Sequence, residues 1–114
     1  MSVKLTSRQV GDVTVIDAIG RITLGEGASA FRDKIRELVS KGSTKVLLNL
    51  GEVSYIDSSG IGEMVSGFTT VTNSGGQLKL LGLSKRVKDL LQITKLYTVF
   101  EVFDDEAAAV RSFS

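Results

Sequence analysis

Lys45-Val46-Leu47-Leu48-Asn49-Leu50, with Ser54-Tyr55-Ile56-Asp57-Ser58-Ser59-Gly60-Ile61-Gly62 close behind it, decides how this chain folds. The first stretch is a short, nearly continuous apolar run, which reads as a strand buried on both faces. The second gathers an acid, two adjacent hydroxyls and two glycines. It leads into Ile61, Met64, Val65, Phe68 and Val71, spaced as one stripe of a helix beginning near residue 60. A buried strand, a polar loop over 54–59 and a helix make the repeating unit of a parallel α/β sheet. In such sheets, binding sites collect where a loop leaves the carboxyl end of a strand.

The flanks extend the same pattern. Gly75-Gly76 ends the helix, and Leu78-Lys79-Leu80-Leu81 reads as another buried strand. Ser84 caps a short helix carrying Val87, Leu90 and Leu91. Thr98 to Phe103 alternates as a last strand, and Asp104-Asp105 opens a closing helix through Val110 and Phe113. Upstream, Met1-Ser2 leads into Val3, Leu5 and Ser7 alternating with Lys4, Thr6 and Arg8. Gly11-Asp12 is a turn signal, and Val13 to Ala18 returns as the second arm of a hairpin closed by Gly20. Thr23-Leu24-Gly25-Glu26 has the form of a capping box. Ala28, Phe31, Ile35, Leu38 and Val39 follow at helical spacing, and Gly42 stops that helix. The order β-β-α-β-α-β-α-β-α predicts an α/β fold. Its sheet is mixed but mostly parallel, with an N-terminal antiparallel hairpin and about four helices. No linker or repeat divides residues 1–114, so they are expected to form one domain.

Composition narrows the chemistry. The 114 residues include no His, Cys, Pro or Trp. Nucleophilic catalysis by Ser-His-Asp or Cys-His is therefore impossible, and the common zinc and haem sites are missing. Fourteen Lys+Arg balance thirteen Asp+Glu with no block of like charge, which argues against a nucleic-acid partner. No apolar run approaches the roughly 18–20 residues that span a bilayer, so direct membrane insertion is not expected. The N-terminal residues lack the apolar core of a signal peptide, so the cytoplasm is the expected compartment. Nucleotide fingerprints fail as well. Gly60-Ile61-Gly62 begins a G-x-G-x-x-G match, but Val65 stands at the third glycine. There is neither a phosphate-binding G-x-x-x-x-G-K-[ST] loop nor a G-x-S-x-G elbow. No cofactor is expected, and no enzymatic activity.

The loop supports two readings. Asp and Ser are common helix caps, so Asp57, Ser58 and Ser59 can be read as structural. Yet one cap suffices, and Gly60 and Gly62 each cost roughly 1 kcal/mol relative to Ala inside a helix. In the second reading the two glycines leave the approach to the helix N-terminus open, where a dianionic group is favoured. A phosphorylated hydroxyl would then be accommodated without unfolding the helix. Asp57 is either a fixed capping acid or an aid in presenting Ser58.

Asp57-Ser58-Ser59-Gly60-Ile61-Gly62, placed after Val46-Leu47-Leu48-Asn49-Leu50, resembles the STAS-domain anti-sigma factor antagonists of bacteria. The resemblance runs over nearly the whole chain, through Gly20, Gly75-Gly76 and Ser84-Lys85-Arg86-Val87. It implies a protein-interaction switch whose unphosphorylated form binds an anti-sigma factor serine kinase and frees a sigma factor. It maps phosphorylation to Ser58, with Asp57, Ser59 and Gly60 completing the switch loop and a separate serine phosphatase resetting it. Ile61 and Met64 are the candidate apolar partner contacts, although a helical stripe more often packs in the core, and Arg21, Thr23 and Glu63 are expected to rim the same loop. Ser59 is expected to cap or pack at the helix start. The chain departs from several members that carry an acid after the glycine, since Arg21-Ile22-Thr23-Leu24 follows Gly20 with no carboxylate before Glu26. Two further readings are a nucleotide or small-molecule binding module, and a STAS subunit of a membrane transport or lipid-trafficking complex.

Overall fold

In the computed structural model, which describes residues 3–113, the strands lie side by side in the order in which they occur along the chain. Met1 and Ser2, read as the lead-in to the first strand, fall outside the described residues. β1 (Val3–Val10) and β2 (Val13–Ile22) form the antiparallel hairpin, joined by a tight turn with Gly11 at φ 62°. β3 (Lys45–Ile56), β4 (Gln77–Leu81) and β5 (Val102–Phe103) add in parallel. The crossovers are α1 (Glu26–Ser40), α2 (Ser58–Asn73) and α3 (Lys85–Ile93), and α4 (Glu106–Arg111) follows β5. The mixed α/β architecture and its four helices match the sequence expectation.

The central apolar run is buried on both faces because its side chains alternate. Val46, Leu48 and Leu50 join Ile16, Phe31, Ile35, Met64, Val87 and Leu91 in the larger core, under α1, α2 and α3. Leu47 points the other way, into a smaller core with Val13, Val15, Leu81, Ala109 and Phe113 beneath α4. Lys79 completes that second layer. Its ammonium lies 4.8 Å from the Phe113 ring centroid and donates to the Ser112 carbonyl and hydroxyl, each at 3.0 Å.

Four local expectations are corrected. The strand does not stop at Leu50 but runs to Ile56, so the first half of the predicted 54–59 loop is sheet and the rest is the helix cap and first helical residues. At Gly51-Glu52 the strand carries a register irregularity: Asp17 pairs with Asn49, and the next pair is Ile19 with Glu52. Asn49 spans the irregularity, its Nδ2 donating to Asp17 Oδ1 (2.8 Å) and its Oδ1 accepting from the Gly51 N–H (3.1 Å). Gly20, likewise, sits within β2 at φ 115° beside a second shift, and the strand continues to Ile22.

The Thr23–Glu26 capping box does not form. Gly25 is the N-cap at φ 93°, so Glu26 is the first helical residue, two positions too early for a box. Thr23 instead accepts the Ala28 N–H at its backbone carbonyl (2.9 Å). The last strand is shorter than the alternation over 98–103 suggested. Lys95 in a left-handed conformation starts a 3-10 turn over Leu96–Thr98, leaving only Val102 and Phe103 paired.

Candidate functional site

The extended β2–β3 pair carries Arg21 opposite Tyr55 and Ile22 opposite Ile56, and the chain turns into α2 at Asp57. Asp57 is the helix N-cap. Its Oδ1 accepts from the Gly60 N–H and its Oδ2 from the Leu24 N–H, both at 2.9 Å. One carboxylate therefore caps α2 and also pins the segment entering α1. The Leu24 N–H, then the Gly60 N–H, hold the Asp57 carboxyl below its ordinary value of 3.8. The stabilisation follows the charge. With the folded pKa below the unfolded one, the unfolded chain takes up the proton first as pH falls. The Asp57 contribution is thus full above the unfolded value near 3.8 and drains away as pH drops through the lower folded value. Asp57→Asn keeps a capping oxygen but removes the titration. Its unfolding midpoint should fall less steeply below about pH 4 than that of the parent, as read by thermal melts at descending pH.

Ser58 is the first residue of α2 and is exposed, with no hydrogen bond to its hydroxyl among the described residues. It faces a groove of about 520 Å³ lined by Tyr55, Asp57, Arg86, Leu90 and Ile93. Ser59 is half-buried and is not the cap, because Asp57 already takes the Gly60 N–H. Gly60 is buried for a different reason from the one its sequence suggested. A Cβ there would lie 2.7 Å from Ile56 Cγ2 and closer still to the Ile22 carbonyl oxygen. Its bare backbone lets α2 start directly against the ends of β2 and β3. Gly62 is exposed, with open space around it.

The apolar contacts proposed from the sequence are not at the surface. Met64 is fully buried and Ile61 is only 8% exposed, both facing the sheet with the rest of their stripe. A helical stripe is a core signal first, and α2 uses the whole of it for packing. Two residues the sequence did not single out stand open near Ser58 instead. Leu24 and Ile93 are each 78% exposed, the first bonded through its N–H to Asp57 and the second lining the Ser58 groove. Their signal in the sequence was weak: Leu24 interrupts a polar turn, and Ile93 falls one position after Gln92 at the end of α3. Of the expected rim, Arg21 is exposed and Thr23 half-buried, while Glu63 turns aside to pair with Arg32 at 3.2 Å. Among the described residues, no three carboxylates gather as a metal site, and no helix is long and apolar enough to cross a membrane.

Comparison with known proteins places this geometry. Residues 4–109 match the STAS domain. The chain is 31% identical to the anti-sigma-B factor antagonist of Bacillus subtilis, over 90% of its own length and 92% of that protein. The crystal structure of a candidate anti-sigma factor antagonist from Thermotoga maritima superposes with a TM-score of 0.88 at 25% identity, covering 96% of this chain and 93% of that one. The Bacillus cell fate determinant SpoIIAA in its phosphorylated form shares the fold, with a TM-score of 0.76 at 21% identity and coverage of 97% and 100%. A strand-to-helix junction capped by Asp57, an exposed serine beside it and relatedness along nearly the full length agree, and the chain belongs to the STAS-domain family of anti-sigma factor antagonists.

Proposed function

We propose that this chain binds an anti-sigma factor with serine kinase activity while Ser58 is unmodified, releasing a sigma factor, and that phosphorylation of Ser58 ends the binding. A separate serine phosphatase returns it to the active state, and the cycle runs in the cytoplasm. The observation that carries the reading is the position of Ser58. Its hydroxyl is exposed at the first turn of α2, next to the fixed carboxylate of Asp57 and in a groove shared with the exposed Ile93, while the exposed Leu24 is bonded through its N–H to that same carboxylate. Exposed apolar side chains with polar groups beside them supply the two parts of a protein interface, an apolar centre and a polar rim. In this cycle the chain is the substrate of the kinase and turns nothing over itself. No His or Cys is present to activate Ser58 as a nucleophile.

The neighbouring serines separate this reading from simple capping. Incubated with the kinase and ATP, the parent chain should gain one phosphate, mapped by mass spectrometry to Ser58. Ser58→Ala should gain none yet keep its fold and its affinity. Ser59→Ala should be phosphorylated like the parent and lose less than about 0.5 kcal/mol of stability, since Ser59 holds no cap. Incorporation into Ser58→Ala, or none into the parent, overturns the proposal.

A further inference from the structure

Tyr55 carries two guanidiniums. Arg21 lies 5.8 Å and Arg86 4.9 Å from the centroid of its ring, both within cation–π range. The two arginines come from opposite ends of the chain's topology. Arg21 pairs with Tyr55 across the β2–β3 ladder, and Arg86 is in the first turn of α3. Among the described residues neither makes an ion pair with a carboxylate. The acids nearby are already engaged. Asp57 is bonded to two backbone N–H groups, and Asp89 pairs with Lys85 at 3.3 Å. Arg21, Thr23, Ser54, Tyr55 and Arg86 line a groove of about 330 Å³ with no carboxylate in its wall. It adjoins the Ser58 groove, since Tyr55 and Arg86 line both.

We propose that Arg21 and Arg86, held against Tyr55, are a docking point for an acidic segment of the partner protein. The inference rests on the reading of the Ser58 face as the partner surface and adds the chemistry of what lands there. Stacking on the ring holds each guanidinium in place while its N–H donors stay free. A carboxylate can therefore be taken up without the ordering cost that a free arginine would carry. Guanidinium matches carboxylate in planar, two-point geometry, and the wall, which holds no carboxylate, has no negative side chain to repel it. Complementary charge of this kind sets partner choice and approach rate, so this chain is expected to select partners bearing Asp or Glu opposite the arginine pair.

Two arms test it on the full chain. In the first, acetyl-hexaglutamate amide and inorganic phosphate are titrated separately while the arginine Nε–H resonances are followed by NMR. The peptide should shift Arg21 and Arg86 at concentrations about ten-fold below those phosphate needs, and the shifts should vanish in Arg21→Gln/Arg86→Gln, whose melting curve should match the parent. No shift, or phosphate acting at the lower concentration, overturns the proposal, the latter outcome marking a small-anion site. In the second arm the serine kinase is titrated. The double variant should bind about 30-fold more weakly, and a rise in NaCl should weaken the parent far more than the variant. Equal affinity of parent and variant overturns the docking point and leaves the Ser58 reading standing. A kinase that neither binds nor phosphorylates the parent overturns the Ser58 reading, while the peptide arm still decides the arginine pair.

Discussion

Gly60→Ala should destabilise the protein by about 3 kcal/mol, lowering the thermal midpoint by roughly 10 °C or more. The sign is what makes the result informative. On helix propensity alone the change should stabilise, since alanine exceeds glycine by about 1 kcal/mol in a helix interior. The new methyl, however, would meet Ile56 Cγ2 at 2.7 Å and press harder on the Ile22 carbonyl oxygen. Backbone cannot rotate away as a flexible side chain can, so α2 would have to lift from the ends of β2 and β3. Gly62→Ala is the control, because nothing lies within 4 Å of a Cβ there. It should be neutral or gain up to about 0.5 kcal/mol. Urea denaturation of both variants reads the difference directly. A stable Gly60→Ala would mean that the start of α2 does not sit against Ile22 and Ile56 as described.

Phosphorylation of Ser58 should weaken binding of the serine kinase about 100-fold, equivalent to about 2.7 kcal/mol. A phosphate brings about −1.5 to −2 charges and three acceptor oxygens to the first turn of α2. In the free protein that charge is tolerable, as it is exposed and faces the positive end of the helix. In the complex it would be desolvated beside Asp57, whose carboxylate stays ionised because the Leu24 and Gly60 N–H groups hold it so. Ser58→Asp places a single charge on a shorter arm and should cost about ten-fold. Salt distinguishes the two contributions. Repulsion from Asp57 is screened as ionic strength rises, whereas desolvation is not, so high salt should restore only part of the lost affinity. Titration calorimetry on the parent, the phosphorylated protein and Ser58→Asp at two salt concentrations makes the measurement. Equal affinities for all three would remove Ser58 from the interface.

What could be read without a structure was whatever a local period or a special backbone demand writes into neighbouring residues. The run from Lys45 to Leu50 announced a doubly buried strand because Val46, Leu47, Leu48 and Leu50 put apolar side chains on both of its faces. Ser84 and Asp105 announced helix starts, and each does accept an N–H from three residues onward, Val87 and Ala108. Asp57-Ser58-Ser59-Gly60 was legible as a junction for the same reason: caps and glycines act within one turn. The capping box at Thr23–Glu26 shows the limit of such signals. Its residues fit the pattern, but the helix begins two positions too late for it, with Gly25 as the N-cap, and the preceding Leu24 N–H is tied to a carboxylate 33 positions away, a contact no local rule can register.

The sequence by itself determined the α/β order, the two-faced burial of the central strand and the position of Ser58 at a helix start. All of these depend on residues within a few positions of one another. Only the tertiary structure decided which apolar residues meet solvent and which charges stand together. Helical spacing says that Ile61 and Met64 share a face, but exposure depends on whether the sheet covers it, and here it does. Leu24 and Ile93 remain open because neither side chain faces the sheet. Arg21, Tyr55 and Arg86 are dispersed along the chain and meet only through the parallel register of β2 on β3 and the seating of α3. Strand register and helix seating are settled by the summed burial of the whole core, a quantity that no short stretch of sequence contains.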